Sequence, residues 1–454
     1  MGSMRKRFIL GLVLCMMAVC VHAQKRTAPE LIALASEQSP DLRAAIAATF
    51  DMAQLQAGTA WAGHGSDFFF ALESGSRPLL VVDDFAGKIM TPVEGTKLWY
   101  AVAHIEPMGR LHQFHYLVDG NRFGGSFDLP AFGPLSYLEP GAPTGKLSAK
   151  IEATSKIYDG MSYAYWIYVP AQYDAQTPAA LMVFQDGGAY IDRNGNNPAL
   201  NVIDNLIAQK KIPVMICVFI NPGDISGSPG TPTYNFVKHY SEEWHRTLLD
   251  SMRSTLYDTV SDRYARFLRD EVIPAVAAKY NLRKDAYSHA ITGASSGGIC
   301  SFNAAWQMPD LFSRVISWIG SFTSIQWKED PAIPDGGQDY PEKVLREPKR
   351  NIRVWLEDGA NDEEMDHFGF HSYGSWPLDN ISMANSLKGM GYDFHFSFGK
   401  GTHNGAGGAA EFPEEMIWLW RGYDAAKTEE EFTQDPAEKS EPLFRVEVVN
   451  RSTN

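Results

Sequence analysis

A serine near the middle of the chain lies in a motif suited to nucleophilic chemistry. Ser295 is flanked by Gly293 and Gly297 in the pattern Gly-x-Ser-x-Gly, after the apolar run 288–292 and before the helix-like stretch 299–308. Small residues at the two glycine positions let a strand and a helix meet in a tight turn that exposes the serine hydroxyl. The pattern therefore predicts a nucleophile that attacks an acyl carbon.

One ambiguity lies within the motif itself. Ser296 has Ala294 and Gly298 at the corresponding offsets, so the nucleophile could be one residue later. We favour Ser295 because both of its flanking positions are glycine, the residue type that a tight turn needs. The pattern alone is common by chance, so the assignment depends on catalytic partners elsewhere in the chain.

A serine hydroxyl is a weak nucleophile at neutral pH and needs a base that a third group orients. For a nucleophile on such a turn, the expected chain order is serine, then an acid after a later strand, then histidine after a final strand. Asp362 follows the predicted strand 352–356, and His403 follows the predicted strand 394–398 on a glycine-flanked loop. We therefore predict Ser295, Asp362 and His403 as a catalytic triad.

The acid has rivals nearby. Asp358, Glu363 and Asp366 lie close to Asp362, and a cluster of carboxylates is also typical of a solvated loop. Asp362 is favoured because it follows the turn 359–361 and should lie above the sheet edge. Its role would be to orient the imidazole and stabilise it once protonated, without taking the proton itself. For the histidine, the alternative is an ordinary exposed loop residue.

An oxyanion hole needs two N–H donors. One predicted donor is the backbone amide of Ser296, the residue after the nucleophile. The other should follow the strand 180–185, where Asp186-Gly187-Gly188 lets the backbone approach a substrate closely. Gly187 or Gly188 is the predicted second donor, and a plain turn is the alternative.

Two histidines four residues apart, His367 and His371, follow Asp366 and suggest a metal site. No glutamate lies between them in an H-E-x-x-H pattern, and Gly369 and Gly374 argue against the helix that would align them. We therefore assign this segment to a loop on the substrate side. Neither a metal nor another cofactor is predicted.

Substrate contacts are predicted for three residues in loops near the expected mouth of the site: Tyr257, Asp258 and Trp376. For each of them, packing inside the protein is an equally weighted alternative. The segment 221–258 is rich in glycine and proline early and in aromatic residues later. It is too long for an ordinary connection, so we expect it to cap the site.

From about residue 150, strands alternate with helices, which predicts an α/β domain over 146–425 with a mostly parallel sheet and helices on both faces. The predicted strands are 165–169, 180–185, 214–220, 315–319, 352–356 and 394–398. The predicted helices are 199–209, 262–280, 299–308 and 380–390. The serine motif lies centrally in this series.

The N-terminal part has a different pattern. Residues 28–57 have apolar residues at helical intervals, and we assign 24–58 to a helical segment. Four strand-like runs separated by turn signals then predict a small antiparallel β-sandwich over 59–145. The passage 130–145, rich in proline and glycine, is expected to link it to the α/β domain. The acidic tail 426–454 lacks clear periodicity and is expected to be solvated.

The first 23 residues resemble an export signal. The basic segment 5–7 precedes an apolar run at 8–21, and a small-residue cleavage site ends at Ala23. The apolar run is shorter than the ~20 residues of a membrane span. We therefore expect a mature chain that begins near Gln24 in the periplasm or outside the cell, without a stable membrane anchor.

Composition excludes some classes of partner. The formal net charge is −14, and it becomes −17 without the signal segment, which argues against nucleic acid and anionic membrane surfaces. After cleavage only Cys217 and Cys300 remain, both in apolar surroundings, so we expect two buried thiols and no disulfide framework.

Four motifs together resemble the esterase family that includes enterochelin esterases, bacterial feruloyl esterases and mycolyltransferases. They are Phe184-Gln185-Asp186-Gly187-Gly188, Gly293-Ala294-Ser295-Ser296-Gly297-Gly298, Gly359-Ala360-Asn361-Asp362 and Gly401-Thr402-His403. The resemblance implies an α/β-hydrolase fold preceded by an immunoglobulin-like domain. It also implies Ser295, Asp362 and His403 as the triad, in agreement with the residues themselves.

These observations predict an exported serine carboxylic ester hydrolase that works through an acyl-enzyme. The expected substrate is an acylated carbohydrate, such as a feruloylated or acetylated glycan, or another hydroxycinnamoyl ester. Alternatives are a siderophore trilactone esterase of the enterochelin type, an acyltransferase to a sugar and a non-catalytic glycan-binding protein. The chain lacks the obvious basic cluster that a trianionic ferric catecholate would need.

Overall fold

The computed structural model describes residues 25–225, 252–323, 325, 336–364 and 374–445. The predicted signal segment 1–23 lies outside these residues, as does most of the predicted cap. Asp366, His367 and His371 lie outside them as well. Within the described part of the chain, no helix has both the length and the apolar character needed to cross a membrane.

Three short helices begin the described chain: α1 (Ala28–Ser36), α2 (Leu42–Thr49) and α3 (Met52–Ala57). Before α1, the Thr27 amide donates to the Glu30 carboxylate at 2.8 Å. Before α3, the Gln54 amide donates to the Asp51 carboxylate at 2.7 Å. Both contacts satisfy amides that have no partner within their helix. Gly58, with φ of 69°, ends α3 in a conformation that glycine adopts without strain.

Two four-stranded antiparallel sheets follow and form the predicted sandwich. The first consists, in spatial order, of β1 (Ala60–His64), β2 (Asp67–Glu73), β6 (Leu98–His104) and β5 (Thr91–Pro92). The second consists of β4 (Lys88–Ile89), β3 (Leu79–Val82), β7 (Arg110–Val118) and β8 (Asn121–Ala131). The three helices cover the outer face of the first sheet.

Strand β2 is buried on both faces, which explains its continuous apolar run. Phe68, Phe70 and Leu72 point into the core between the two sheets. Phe69 and Ala71 point the other way and pack with the helices. Because successive side chains of a strand alternate in direction, one strand serves both cores.

The second part of the chain folds around one ten-stranded sheet. Its strands are β9 (Lys146–Leu147), β10 (Ile151–Thr154), β11 (Met161–Val169), β12 (Ala180–Gln185), β13 (Met215–Ile220), β14 (Asp224–Ile225), β15 (His289–Ala294), β16 (Arg314–Trp318), β17 (Arg353–Gly359) and β18 (Asp393–Gly399). Its helices are α4 (Ala199–Ala208), α5 (Met252–Tyr257), α6 (Arg263–Phe267), α7 (Ile273–Ala277), α8 (Ser296–Gln307), α9 (Tyr340–Arg346), α10 (Trp376–Gly389), α11 (Ala406–Leu419) and α12 (Pro436–Ser440).

The spatial order of this sheet is β10-β11-β13-β12-β15-β16-β17-β18, and β9 and β14 also pair with β11. All neighbours from β13 to β18 are parallel, so their carboxyl ends lie at one edge. Along β12, Leu181 and Val183 pack in the core with α8, whereas Met182 and Phe184 pack in the core with α4 and α11. The predicted α/β-hydrolase fold is confirmed.

Some elements differ from the predictions. The predicted helix 262–280 consists of α6, a π-helical turn at Leu268–Val272 and α7, and the helices α5, α9 and α11 were not predicted. Most described residues of the tail, as far as Arg445, are exposed to solvent as expected, but the tail also has an anchor on the domain. Phe432 is buried, and its amide donates to Asn351 Oδ1 at 2.9 Å. Isolated aromatic residues hold this acidic segment to the domain, and they have no periodicity that a pattern would reveal.

One buried asparagine of α4 holds the linker between the two parts. The linker contains a 3₁₀ turn at Pro134–Ser136. Asn205 Nδ2 donates to the carbonyl oxygens of Leu135 at 2.9 Å and Tyr137 at 2.6 Å. Its Oδ1 accepts from the Glu139 amide at 3.0 Å. A single side chain thus takes the place of water for three backbone groups.

Replacing Asn205 with alanine should destabilise the protein because these backbone groups lose their partner at a buried position. Each unsatisfied buried group costs about 1–3 kcal/mol, so calorimetry should record a fall of several degrees in the midpoint of thermal unfolding. The control is Gln209→Ala, which removes an exposed hydrogen bond of 2.8 Å to Glu139 and should leave the midpoint nearly unchanged. Equal shifts in the two variants would contradict the role of Asn205.

Candidate active site

Ser295 lies at the turn between β15 and α8. Its backbone has φ of 59° and ψ of −122°, a conformation rare for any residue with a side chain. Its amide donates to the Trp318 carbonyl oxygen on the neighbouring strand at 2.9 Å. A Cβ atom on Gly293 would lie 2.5 Å from the Gly297 carbonyl oxygen. Strand and helix therefore pass too closely for a larger residue at position 293, as a nucleophile elbow requires.

One imidazole connects residues from three strand ends. His403 follows β18, and its Nε2 lies 2.7 Å from Ser295 Oγ. Its Nδ1 lies 2.6 Å from Oδ1 of Asp362, which follows β17. The Asp362 side chain is fully buried, and that of His403 is 19% exposed. In this arrangement the imidazole can take the hydroxyl proton while the carboxylate fixes its tautomer.

The rivals of Asp362 have other surroundings. Asp358 is fully buried, and its Oδ1 accepts from the Gly359 amide at 2.7 Å. Burial raises the pKa of Asp358 well above its usual range, and the hydrogen bond with Asp362 raises it further. Burial thus disfavours the charged form of Asp358, whereas Asp362 is the carboxyl in contact with the His403 ring. Glu363 contributes its amide, which donates to Asp362 Oδ1.

Three more carboxyl groups are buried close to one another: Glu357, Glu411 and Glu415. Burial raises the pKa of each above its usual range. The Trp318 indole donates to both oxygens of Glu415, at 2.9 Å and 2.7 Å. Burial thus disfavours a negative charge on each of these three groups.

The predicted oxyanion donors belong to two turns at the same edge of the sheet. Ser296 is the first residue of α8, so its amide has no acceptor within the helix and lies at the positive end of the helix dipole. Gly187 and Gly188 form a 3₁₀ turn after β12. The Gly188 amide donates to Asn221 Oδ1 at 2.9 Å, so a substrate could use it only if that carboxamide moves. Donation to a substrate stays a prediction for all three amides.

Close packing explains the first glycine of that turn. A Cβ atom on Gly187 would lie 2.3 Å from the Phe219 backbone and 2.4 Å from that of Ile220. No side chain therefore fits there without moving β13. The glycine pair is a structural requirement of the turn, whichever of its amides faces a substrate.

An ion pair that was not predicted holds the same turn. Arg253 in α5 donates from Nη2 to Asp186 Oδ2 at 2.8 Å and from Nε to Oδ1 at 3.1 Å. Asp186 has φ of 52°, and its amide donates to the Tyr257 hydroxyl at 3.3 Å. Removing either charge would leave the other poorly solvated. The pair therefore fixes the backbone that carries Gly187 and Gly188.

The three residues predicted to bind substrate are all buried: Tyr257, Asp258 and Trp376. The Trp376 ring packs edge-on against the His403 ring, with 5.2 Å between centroids. Its indole nitrogen donates to Ser321 Oγ at 3.2 Å. These contacts are those of the packing alternative, and substrate binding by the three residues stays a prediction.

A second hydroxyl near the nucleophile was not predicted. Ser321 Oγ lies 3.3 Å from Ser295 Oγ, and the Ser321 amide donates to the Ser295 carbonyl oxygen at 3.1 Å. Ser295 Oγ therefore has a second hydrogen-bond partner besides His403. The signal that could have found Ser321 is its position just after β16, a parallel strand between the nucleophile and the acid.

Comparisons with known proteins agree with this architecture. The family model Esterase, described as Putative esterase, matches residues 160–419. The chain is 22% identical over 168 residues to the uncharacterized protein YbbA of Bacillus subtilis (strain 168), a match that covers 37% of this chain and 59% of YbbA. The resemblance to esterases noted in the sequence is therefore confirmed at the level of the family.

Solved structures of similar fold include the ferric enterobactin esterase of Salmonella typhimurium. It has a TM-score of 0.50 and 14% identity over 80% of this chain and 96% of that chain. A ferulic acid esterase from Anaeromyces mucronatus has a TM-score of 0.46 and 15% identity over 63% of this chain and 94% of that chain. At 14% identity, the likeness to the Salmonella enzyme concerns the fold and not the substrate.

Asp362→Asn should lower kcat for p-nitrophenyl acetate by about 10⁴-fold, because an amide at this place favours the wrong imidazole tautomer. Glu363→Gln is the matched control, since it keeps the backbone amide that donates to Asp362, and its kcat should stay close to that of the parent. Steady-state kinetics on the two purified variants makes the comparison. A large loss in Glu363→Gln with near-normal Asp362→Asn would assign the acid to Glu363.

Proposed function

Since this chain belongs to the Esterase family, we propose that it hydrolyses carboxylic esters through an acyl-enzyme on Ser295. The observation that supports this best is the pair of short contacts made by His403. Its two ring nitrogens lie 2.7 Å from the Ser295 hydroxyl and 2.6 Å from the Asp362 carboxylate. A hydroxyl, an imidazole and a buried carboxylate in line are the parts that acyl transfer requires.

The first half-reaction acylates the enzyme. Ser295 Oγ attacks the ester carbonyl carbon while His403 Nε2 takes the hydroxyl proton, and the Asp362 carboxylate stabilises the resulting imidazolium. The carbonyl oxygen gains negative charge, which the Ser296 amide and one amide of the 187–188 turn bind. His403 then gives its proton to the departing alcohol, and an ester to Ser295 remains.

The second half-reaction restores the serine. A water molecule takes the place of the alcohol, and His403 removes its proton as the oxygen attacks the acyl carbon. The same amides bind the second oxyanion, and the imidazolium returns the proton to Ser295 Oγ as the acid leaves. If a sugar hydroxyl entered in place of water, the same steps would transfer the acyl group.

We further propose export and an ester of a glycan or a hydroxycinnamic acid as the substrate. Export rests on the basic and apolar segments before Ala23. The substrate class rests on charge, because a chain with a net charge of −14 is poorly suited to a trianionic ferric catecholate. Arg253, the cation beside the 187–188 turn, is already paired with Asp186.

Ser295→Ala should lower kcat for p-nitrophenyl acetate by about 10⁶-fold in the mature chain, since the covalent step then lacks its proposed nucleophile. Stopped-flow measurement should also show that the parent's burst of p-nitrophenol disappears. Ser296→Ala keeps the backbone amide and should lose far less activity. Full turnover in Ser295→Ala, or loss of the burst in Ser296→Ala alone, would contradict the assignment of the nucleophile.

The substrate proposal makes a separate prediction. The parent enzyme should release acid from methyl ferulate or acetylated xylan with a higher kcat/KM than from ferric enterobactin, because its acidic surface repels the anionic complex. Chromatography of products at equal substrate concentration measures this ratio, and Ser295→Ala is the blank. Preference for ferric enterobactin would contradict the glycan proposal, and preferred acylation of an added sugar would replace hydrolysis with transfer.

A further inference from the structure

The loop that carries His403 has little structure of its own. It extends from the end of β18 at Gly399 to the start of α11 at Ala406. Within it, the Asn404 amide donates to the Thr402 carbonyl oxygen at 2.8 Å. The position of the imidazole therefore depends on groups outside the loop.

One set of contacts comes from the turn that carries Asp362. The Asn361 amide donates to the Gly401 carbonyl oxygen at 3.1 Å, and Asn361 Nδ2 donates to the Lys400 carbonyl oxygen at 2.7 Å. A Cβ atom on Gly359 would lie 2.2 Å from the Gly401 carbonyl oxygen. The acid turn and the histidine loop are thus in direct contact on this side.

The other set comes from the N-terminal sandwich. Asp128 of β8 accepts the Thr402 amide at 2.8 Å through Oδ1 and the Thr402 hydroxyl at 2.6 Å through Oδ2. A Cβ atom on Gly401 would lie 2.8 Å from Leu111 Cδ2 of β7. Both oxygens of one carboxylate therefore bind the residue immediately before His403, from a strand 274 positions away in the chain.

We propose that Asp128 is a positioning residue for His403, so that the N-terminal sandwich is a working part of the active site. The proposal rests on the proposed function, because it assigns Asp128 a role in that reaction. Asp128 acts through Thr402, whose amide and hydroxyl its carboxylate accepts. Its own position is held in turn, since its backbone amide donates to the Ser126 hydroxyl oxygen at 2.9 Å.

The geometry explains why such a clamp matters. His403 has to keep its two contacts of 2.6 Å and 2.7 Å at the same time. A displacement near 1 Å of a catalytic group lowers a rate by about 10²-fold. The Thr402 amide and hydroxyl are one peptide away from the imidazole, so their release from Asp128 lets the ring leave this arrangement. Hydrogen bonds to a carboxylate are stronger than those between neutral groups, so the Asp128 carboxylate is well suited to hold Thr402 in place.

A contact of the same kind elsewhere provides a control. Arg110 of β7 donates to Glu414 of α11 at 2.7 Å. It also joins the sandwich to the α/β domain, but both side chains are about half exposed and neither contacts the histidine loop. If the sandwich only packs against the α/β domain, Arg110→Ala and Asp128→Ala should behave alike.

The test compares four variants of the full mature chain with the parent: Asp128→Ala, Thr402→Val, Thr402→Ser and Arg110→Ala. Asp128→Ala should lower kcat for p-nitrophenyl acetate by about 10- to 100-fold with little change in KM, because the displaced group acts in the chemical step. Thr402→Val loses only the hydroxyl contact and should lie between Asp128→Ala and the parent. Thr402→Ser keeps both donors, so its kcat should equal that of the parent. Arg110→Ala should also have the parent's kcat.

A second readout is the rate at which a fluorophosphonate labels the serine, since that reaction also needs the serine and imidazole together. It should fall with kcat across the series while the midpoints of thermal unfolding stay within the range of the Arg110→Ala control. If Asp128→Ala fails to fold, the kcat and labelling rate of Thr402→Val are compared with those of Thr402→Ser, and a loss in Thr402→Val alone supports the proposal.

Two results would overturn the proposal. The first is that folded Asp128→Ala and Thr402→Val keep the parent's kcat and labelling rate. The second is that these substitutions change only KM. In either case the proposed function would still stand if the parent hydrolyses the ester and Ser295→Ala does not. A parent without hydrolysis or labelling would instead refute the proposed function, and the role of Asp128 with it.

Discussion

The structure depends on one imidazole that must reach a hydroxyl and a carboxylate at once. Three parallel strands meet this requirement: β15 leads to Ser295, β17 to Asp362 and β18 to His403. Their carboxyl ends lie at one edge of the sheet, with β16 between the first and second. Strand spacing therefore sets the distance that the histidine loop has to span, and residues far apart in sequence come within hydrogen-bond range.

Close backbone packing makes this possible. Glycine at 293 lets β15 meet α8, and glycine at 359 lets the acid turn touch the histidine loop. Around this frame, Trp376 packs on the imidazole and the Asp186–Arg253 pair holds the turn of the predicted oxyanion donors. The sandwich adds its own contact through Asp128. Side chains at the strand ends are held by the sheet, whereas the loops that follow need contacts from other elements to fix their positions.

The fold and the meeting of Ser295, Asp362 and His403 could be predicted because each depends on a local signal: a glycine-flanked serine, strand periodicity and chain order. The contacts of Asp128 and Arg253 could not, because they join positions 274 and 67 residues apart and carry no pattern. Tyr257 illustrates a different limit. Its type suits a binding surface as well as a core, and only the fold reveals that it is buried. The anchoring of the tail by Phe432 could not be predicted, because a single aromatic residue in an acidic segment carries no pattern.

The central claim is that an acyl group passes through Ser295, and mass spectrometry of the protein quenched during turnover tests it most directly. Protein mixed with p-nitrophenyl acetate, acidified within the burst and digested should carry one acetyl group on the peptide that contains Ser295, assigned to that residue by fragmentation. The group should disappear when substrate is exhausted. An acetyl group on Ser296, or rapid turnover with no acylated peptide at all, would contradict the account.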